Sequence, residues 1–193
     1  MNDEERPPLS PVETIKAESR QLRGSIAEGL ENMSTGALAD DDTQLAKFHG
    51  IYQQDDRDVR AERRRKKLER AFSFMVRVRI PGGALTPKQW LMLDRIAGRH
   101  ANGTIRLTTR QSIQFHGTIK SNLREAIRDI NACLLDTIAA CGDVNRNVMS
   151  SANPRQSGAH AAAFALAQDL GRHLLPRSTA YYEIWLEDRK IHE

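Results

Sequence analysis

The sequence predicts an α+β fold: half of a ferredoxin-like unit, preceded by a mostly helical or irregular N-terminal arm. Two observations support this prediction. Apolar and polar residues alternate over 72–80 and again over 104–117, as they do in strands with one buried face. A helical periodicity follows each strand, first between Pro87 and Asn102 and then over 121–139. The order strand, helix, strand, helix is typical of half a ferredoxin-like unit or of a short βαβ piece.

The N-terminal part of the chain is predicted to be helical at first and irregular later. Residues 1–11 are acidic and proline-rich, and we interpret them as a flexible lead-in. Apolar residues at helical spacing predict a helix over about 11–31, with Ser10 as its N-cap. The aspartates at 40–42 are expected to break the chain, and 44–60 is expected to be irregular because it is polar throughout.

A dense basic run, RAERRRKKLER, occupies residues 60–70. Two interpretations stay open: a solvated helix face or exposed arm, and a surface that contacts an acidic protein or nucleic acid. The whole chain of 193 residues carries 29 Lys and Arg against 25 Asp and Glu, a net charge of +4. This balance is too mild to require a nucleic-acid partner.

The cysteines and the hydropathy indicate neither a metal site nor a membrane span. Cys133 and Cys141 lack the CxxC spacing and have no histidine at metal-ligand spacing, so we expect two reduced thiols. No stretch approaches the roughly 18 apolar residues of a membrane helix, and the N-terminus lacks the apolar core of a signal peptide. We therefore predict a cytoplasmic protein.

Turn and cap residues delimit the remaining elements. Pro81–Gly83 is a turn signal, and Thr86 is an N-cap ahead of a proline at the first helical position. A loop rich in Asn, Ser and Gly is expected over 140–158. A third helix is predicted over about 159–174, and a further strand over 180–186.

The polar side of the strand over 104–117 has an unusual composition. Its apolar side carries Ile105, Leu107, Ile113 and Phe115. Its polar side carries Arg106, Thr108, Arg110, Ser112, Gln114 and His116. The strand over 72–80 adds Arg77 and Arg79 on its own polar side. If both strands belong to one sheet, four arginines share one of its faces.

Four guanidinium groups on one sheet face favour an anionic ligand. Like charges held close together are unfavourable unless an anion neutralises them, and the planar donor fork of arginine suits carboxylates and oxyanions. We therefore predict a large, multiply anionic ligand. The alternative is a solvent-exposed face whose arginines are paired with carboxylates elsewhere. Single-stranded RNA is disfavoured because Phe74 and Phe115 fall on the apolar face, where they could not stack on bases.

Five stretches of the sequence resemble the sulfite and nitrite reductase family. IRLTTRQSIQFHG at 105–117 is similar to the sirohaem-binding strand of that family. Four more, in the same order along the chain, resemble in particular the haemoprotein (beta) subunits of NADPH-dependent sulfite reductase. They are KFHGIYQQDDRDVRAERRRKKLE at 47–69, FMVRVRIPGG at 74–83, GDVNRNVMSSANP at 142–154 and HLLPRSTAYYEIWL at 173–186.

The resemblance implies an oxidoreductase of sulfur assimilation and cysteine biosynthesis. The family reduces sulfite to sulfide with six electrons, on a sirohaem coupled to a 4Fe–4S cluster, and an NADPH flavoprotein (alpha) subunit supplies the electrons. Arg77 and Arg146 are implied to be catalytic, because they would line the pocket that holds sulfite and neutralise its charge. The implied sirohaem-binding residues are Arg77, Arg106, Thr108, Arg110, Gln114, His116 and Arg146.

The resemblance also implies that the chain is an N-terminal fragment of a longer protein. The paired active-site lysines and the cluster cysteines of the family come later than the matched stretches, and Cys133 and Cys141 do not match the cluster motif. We therefore expect an open sheet edge, an exposed apolar face and low stability. No sulfite reduction is expected from this chain alone.

Three regions are predicted from the same comparison of motifs. Residues 1–70 form the N-terminal arm, a possible docking region for the flavoprotein; 71–139 form a ferredoxin-like sulfite/nitrite reductase half-domain; and 140–193 begin a truncated sirohaem and 4Fe–4S domain. Two alternatives stay open. One is a nitrite reductase of the same family, and the other is a non-catalytic basic module that binds RNA or an acidic protein.

Overall fold

The structure, a computed structural model, describes residues 9–138, 144–177, 184–186 and 189–192. These residues form seven α-helices and six strands. They are α1 Pro11–Glu18, α2 Ile26–Glu31, α3 Asp40–Phe48, β1 Ile51–Asp55, α4 Arg57–Arg65, β2 Phe72–Val78, α5 Pro87–His100, β3 Arg106–Leu107, β4 Ile113–Thr118, α6 Leu123–Ala132, α7 Gly158–His173, β5 Ile184–Leu186 and β6 Arg189–His192. Within these ranges no helix is both long and apolar enough to cross a membrane.

Four strands form one antiparallel sheet in the order β1-β2-β4-β3. The strands β5 and β6 pair with each other separately. One face of the four-stranded sheet packs on α5 and α6, and the side chains between them form the main core. Its fully buried large members are Phe74, Val76, Val78, Leu93, Ile96, Ile113, Phe115, Leu123 and Ile130. Burial of each stabilises the fold by about 1.5–3 kcal/mol, and the α+β prediction is confirmed.

The helix after β2 begins where its cap residues predict. The hydroxyl of Thr86 accepts a hydrogen bond from the Gln89 backbone N–H at 3.2 Å, and the Gln89 side-chain oxygen accepts one from the Thr86 N–H at 3.0 Å. This reciprocal pair is a capping box. The cap at Ser10 is also confirmed, since its hydroxyl accepts the N–H of Glu13 at 3.3 Å. Both caps depend only on residues close in sequence.

The prediction of one strand over 104–117 is wrong, because the chain turns back between β3 and β4. The hydroxyl of Thr108 accepts the backbone N–H groups of Arg110 and Ser112 at 3.3 and 3.1 Å. The N–H of Thr108 donates to the Ser112 carbonyl at 2.9 Å, and Gln111 has a φ of 54°. A threonine-centred turn of this kind interrupts the ladder. Arg110 therefore lies in a turn.

The prediction of an irregular segment over 44–60 is also wrong, because these residues contain the last five residues of α3, all of β1 and the first four residues of α4. The aspartates at 40–42 begin α3, where negative charge favours a helix N-terminus. The buried carboxylate of Asp42 accepts the N–H and the hydroxyl of Ser25 at 2.9 and 2.7 Å. The strand β1 then joins the sheet as an edge strand.

Two predicted helices are shorter in the structure. The helix predicted over 11–31 divides into α1 and α2, since Arg20, Gln21 and Leu22 all have positive φ angles. The helix predicted over 121–139 ends at Ala132. Conversely, the third predicted helix agrees with α7 within one residue at each end. Much of the predicted strand over 180–186 lies outside the described residues, and its last three residues form β5.

The expected open edge and exposed apolar surface are both present. The edge strand β3 has two residues, and Leu107 within it is 72% exposed. Leu166 and Leu170 on α7, and Leu174 directly after it, recur every four residues and are all exposed. These side chains expose apolar surface to water, and an additional element packed on them would bury it.

Gly50 makes the sharp turn between α3 and β1 at a point where no side chain fits. Its φ is +74°, and a Cβ there would lie 2.1 Å from the Thr137 carbonyl oxygen and 3.1 Å from that of Arg77. The Gly50 carbonyl accepts the N–H of Arg77 at 2.9 Å. The close approach of two backbone segments therefore requires glycine.

Side-chain hydrogen bonds from Lys120 and His49 to backbone carbonyls hold the N-terminal segments in place. The buried Lys120 ammonium donates to the carbonyls of Asn32 and Ala37, the second at 3.0 Å. The ring Nε2 of His49 lies 2.9 Å from the Leu22 carbonyl oxygen. Because a carbonyl can only accept, this nitrogen carries the proton in the neutral ring.

Stability should fall as the pH is lowered through the usual histidine range. Burial lowers the pKa of His49 below 6.5, so the folded state binds its proton less readily than the unfolded state. The stability from neutral His49 is therefore present above about pH 6.5 and is lost as the pH falls toward the folded-state pKa, by up to about 1.4 kcal/mol per pH unit. Urea midpoints at several pH values measure this.

A His49→Gln variant is the control for that experiment, since glutamine keeps a donor and does not titrate. We expect a shallower dependence on pH in the variant. A residual slope should come from His116, whose pKa is also lowered, mainly by burial. An identical slope in the variant and the wild type would contradict the assignment to His49.

Candidate functional site

Three of the predicted site residues form a row across the sheet. Gln114 on β4 is the register partner of Arg77 on β2 and of Arg106 on β3. Register partners in an antiparallel sheet point to the same face, so the two arginines flank Gln114. With strands about 4.8 Å apart, their Cα atoms are roughly 10 Å from each other. Arg77 and Arg106 thus share one face of one sheet, as the sequence predicted for two strands that pair, but they lie on either side of β4 because Arg106 belongs to a separate strand, β3.

His116 lies on the same face as Gln114, two residues further along β4. Its ring Nε2 is 3.3 Å from the side-chain oxygen of Gln114. Burial, and secondarily the charge of Arg106, lower the pKa of His116. The ring is therefore neutral at neutral pH, and it adds hydrogen-bonding capacity to the row without adding charge.

Tyr52, on the neighbouring strand β1, holds the guanidinium of Arg77. The Nη1 of Arg77 donates to the Tyr52 hydroxyl at 3.0 Å, and the guanidinium carbon lies 4.9 Å from the centre of the Tyr52 ring. Both side chains are half-buried. Sequence analysis missed Tyr52 because it lies in a segment predicted to be irregular, although it belongs to the YQQDDRD motif.

The turn that carries Arg110 is clamped to the segment that carries Arg146. The side-chain amide of Asn147 donates to the carbonyls of Arg110 and Gln111 at 2.7 and 3.3 Å. The amide of Gln111 pairs with the backbone of Ser150 through two bonds, at 2.7 and 3.1 Å. Arg146 is half-buried next to Asn147. Two arginines that are far apart in sequence are thus brought to one end of the sheet.

Thr108 has a limited capacity to bind a ligand. Its hydroxyl oxygen already accepts two backbone N–H groups within its own turn. Since a hydroxyl has two lone pairs and one proton, only the O–H remains to donate. Thr108 can therefore contact an anion, but its first role is to shape the turn of Arg110.

Arg79 is not part of an anion-binding face, which corrects the prediction of four arginines. It is 5% exposed, and its Nε and Nη2 donate to the two carboxylate oxygens of Asp136 at 2.9 and 2.7 Å. Its Nη1 donates to the Gly171 carbonyl near the end of α7 at 2.9 Å. The bidentate pair with the Asp136 carboxylate neutralises this cation, and the negative end of the α7 dipole stabilises it further.

Three arginines of the site, unlike Arg79, have no carboxylate partner in the part of the chain that the structure describes. Among the described residues, no Asp or Glu oxygen lies within 4.0 Å of the guanidinium nitrogens of Arg77, Arg106 or Arg110. Several arginines elsewhere do have such partners. They are Arg20, Arg60, Arg79, Arg99, Arg124, Arg128 and Arg172. The face therefore carries uncompensated positive charge.

No metal centre is found in the part of the chain that the structure describes. No group of three or more His, Cys, Asp or Glu side chains could hold a metal ion there. Cys133 is a free, buried thiol whose Sγ donates to the Asp129 carbonyl at 3.0 Å. Burial, with a smaller effect from the Asp129 carboxylate, raises the pKa of Cys133 and keeps it protonated. Cys141 lies outside the described residues.

The chain is similar to known proteins in sequence and in structure. A family model described as the nitrite/sulfite reductase ferredoxin-like half domain matches residues 67–133. The sulfite reductase (NADPH) hemoprotein beta-component of Methylobacterium sp. strain 4-46 is 60% identical over 95% of this chain and 30% of its own length. The same component of Oceanobacillus iheyensis is 58% identical over 95% of this chain and 32% of its own length.

Among solved structures, the Mycobacterium tuberculosis NirA protein matches with a TM-score of 0.61 and 29% identity. This match covers 78% of the present chain and 29% of that protein. The chain thus spans about a third of the length of its relatives and corresponds to an N-terminal part of the curated ones. These matches confirm the ferredoxin-like half-unit over residues 67–133, and along 95% of its length the chain is a homologue of the N-terminal third of the haemoprotein beta-components of NADPH-dependent sulfite reductase.

Proposed function

We propose that this chain supplies an anion-binding part of a sulfite reductase haemoprotein, which reduces sulfite to sulfide with six electrons. One observation carries the proposal. Three guanidinium groups, those of Arg77, Arg106 and Arg110, lie in one region and have no carboxylate partner among the described residues. Like charges so placed are stabilised by a multiply anionic ligand.

The residues of this region suit the carboxylate rim of sirohaem. Arg106 and Arg110 would bind its carboxylates by charge-assisted hydrogen bonds. Gln114, the neutral ring of His116 and the remaining O–H of Thr108 would add neutral donors. Sirohaem, when bound, supplies the iron at which sulfite receives electrons. The described residues do not suit a 4Fe–4S cluster, because no group of three or more His, Cys, Asp or Glu side chains among them could hold one.

Arg77 and Arg146 are proposed to hold the substrate. A guanidinium beside sulfite offsets its negative charge and stabilises the charge that develops while oxygen leaves as water. Arg77 also lies next to Gln114, one of the proposed sirohaem-binding residues, as its register partner on β2. Both arginines would accept nitrite as well, so the choice of sulfite is based on the relatives and not on the geometry.

The helix α4 is proposed as a docking surface for an acidic flavoprotein subunit. It has no buried residues, as expected of a solvated helix face. Part of its charge is used locally, since Arg60 pairs with Asp55 at 2.6 Å and Lys66 with Glu62 at 2.5 Å. Arg63 is half-buried and donates to the Glu69 carbonyl. The remaining cations of the basic run are exposed and would attract an acidic surface; they are Arg64, Arg65, Lys67 and Arg70.

The division into regions 1–70, 71–139 and 140–193, and the cytoplasmic location, remain part of this proposal. The fold supports a close association of the first two regions, since β1 of the arm pairs with β2 of the half-domain. The arm therefore contributes side chains to the polar face as well as a possible docking surface.

A porphyrin titration tests the proposed ligand chemistry. The chain should bind uroporphyrin, which has eight carboxylates, more tightly than a porphyrin with two. Changing Arg77, Arg106 and Arg110 together to Gln should weaken binding about 100-fold, since each exposed ion pair contributes about 1 kcal/mol. Quenching of porphyrin fluorescence measures both affinities.

A second triple variant controls for the loss of net charge. Arg124, Arg128 and Arg172 are exposed and lie on helices α6 and α7, and their change to Gln removes the same charge. We expect less than about a 3-fold loss from this variant, through long-range electrostatics alone. Equal losses in the two triple variants, or no preference for the octacarboxylate, would contradict the proposal.

A further inference from the structure

We infer that Tyr52 is a positioning residue for Arg77, and that it thereby increases the affinity of the polar face for oxyanions. This inference rests on the proposed function, because it concerns the same anion-binding face. It assigns a role at the site to the N-terminal arm, which the motifs indicated only as a docking region.

The contact between the two side chains restrains the guanidinium in two directions. The hydrogen bond from Nη1 to the Tyr52 hydroxyl, 3.0 Å long, fixes rotation within the guanidinium plane. The ring, with its centre 4.9 Å from the guanidinium carbon, limits movement out of that plane. A flexible arginine would lose side-chain entropy on binding an anion, whereas a restrained one has already lost it.

The restraint leaves donors available for a ligand. A guanidinium has five N–H groups, and the contact with Tyr52 uses one nitrogen. Among the described residues, Tyr52 is the one side chain that hydrogen-bonds this guanidinium. A tyrosine hydroxyl is neutral, so it orients Arg77 without cancelling its charge. The carboxylate of Asp136, in contrast, cancels the charge of Arg79.

The backbone register of β1 and β2 supports an orienting role for Tyr52, because it brings the side chains of Tyr52 and Arg77 together. Tyr52 is the register partner of Met75, which precedes Arg77 by two residues on the same face. The diagonal position is within reach of aromatic and long side chains in an antiparallel sheet. Gly50, whose carbonyl accepts the Arg77 N–H at 2.9 Å, holds the start of β1 against this part of β2.

A double-mutant cycle tests the inference, with uroporphyrin as the probe. Tyr52→Phe, which keeps the ring and removes the hydroxyl, should weaken binding about 3-fold, and Tyr52→Leu about 10-fold. Both losses should disappear in an Arg77→Gln background, because Tyr52 acts through Arg77. Losses of the same size in that background would overturn the inference, since Tyr52 would then act on the ligand or on the fold directly.

A ligand-free measurement separates this inference from the proposed function. Rotation of the Arg77 guanidinium about its Cζ–Nε bond, followed by nitrogen NMR, should be slow in the wild type and faster in both Tyr52 variants. Slow rotation without porphyrin binding would contradict the proposed ligand and leave the positioning role intact. Unchanged rotation in Tyr52→Leu would overturn the positioning role even if the porphyrin binds.

Discussion

Replacing Asp136 by Asn should lower the free energy of unfolding by about 3 kcal/mol, because it leaves the Arg79 cation buried without a counter-charge. Arg79 is 5% exposed, and it joins β2 to the Asp136 carboxylate and to the Gly171 carbonyl on α7. The estimate is at the low end for a buried pair because the Asp136 side chain is 30% exposed. Urea denaturation of the chain measures the loss.

Two further variants make that experiment decisive. Asp169→Asn removes an exposed ion pair with Arg172 on α7 and should cost less than about 1 kcal/mol. The double variant Arg79→Met, Asp136→Leu should recover part of the stability, since no buried charge remains. A loss from Asp136→Asn no larger than that from Asp169→Asn would contradict the role given to the buried pair.

Gly50→Ala should destabilise the fold by about 3 kcal/mol. The new Cβ would lie 2.1 Å from a backbone oxygen, that of Thr137, which cannot rotate away as a side chain would. The φ of +74° adds strain for any residue with a Cβ. The unfolding midpoint in urea measures the loss, and uroporphyrin binding measures its effect on the site, since Gly50 contacts the backbone of Arg77.

Gly98→Ala is the matched control for this prediction. Gly98 lies inside α5, and apart from its chain neighbours and the nearby backbone of its own helix no atom lies within 4 Å of the position of its added Cβ. Alanine is the better helix former by up to about 1 kcal/mol, so this variant should be slightly more stable than the wild type. If Gly50→Ala were also neutral or stabilising, the close approach at Gly50 would not hold in solution.

Sequence patterns predicted those elements whose cause is local. Alternation over 72–80 located β2, and Thr86 as an N-cap ahead of Pro87 located the start of α5. Alternation also placed Arg77, Arg106 and Gln114 on one face, because side-chain direction in a strand has a period of two. Their binding roles came from the family resemblance and remain predictions.

Alternation failed over 104–117, where a strand and a turn share the same pattern. Polar residues at Thr108, Arg110 and Ser112 continue the period of two, yet the hydroxyl of Thr108 bonds to the backbone and reverses the chain. A side-chain to backbone bond that competes with a ladder leaves no trace in hydropathy. The spacing of about 13 Å that a continuous strand would give Arg106 and Arg110 therefore does not apply.

The amino-acid sequence by itself determined the fold class, the main strand and helices of the half-domain and the positive character of the site, because propensity, capping and alternation act between near neighbours. The tertiary structure alone decided which arginines are available. Asp136, 57 positions from Arg79, neutralises that cation, while Tyr52, 25 positions from Arg77, orients it without neutralising it. Such partners are chosen by how strands and loops pack, and the pairing energy depends on burial and geometry that no local pattern contains.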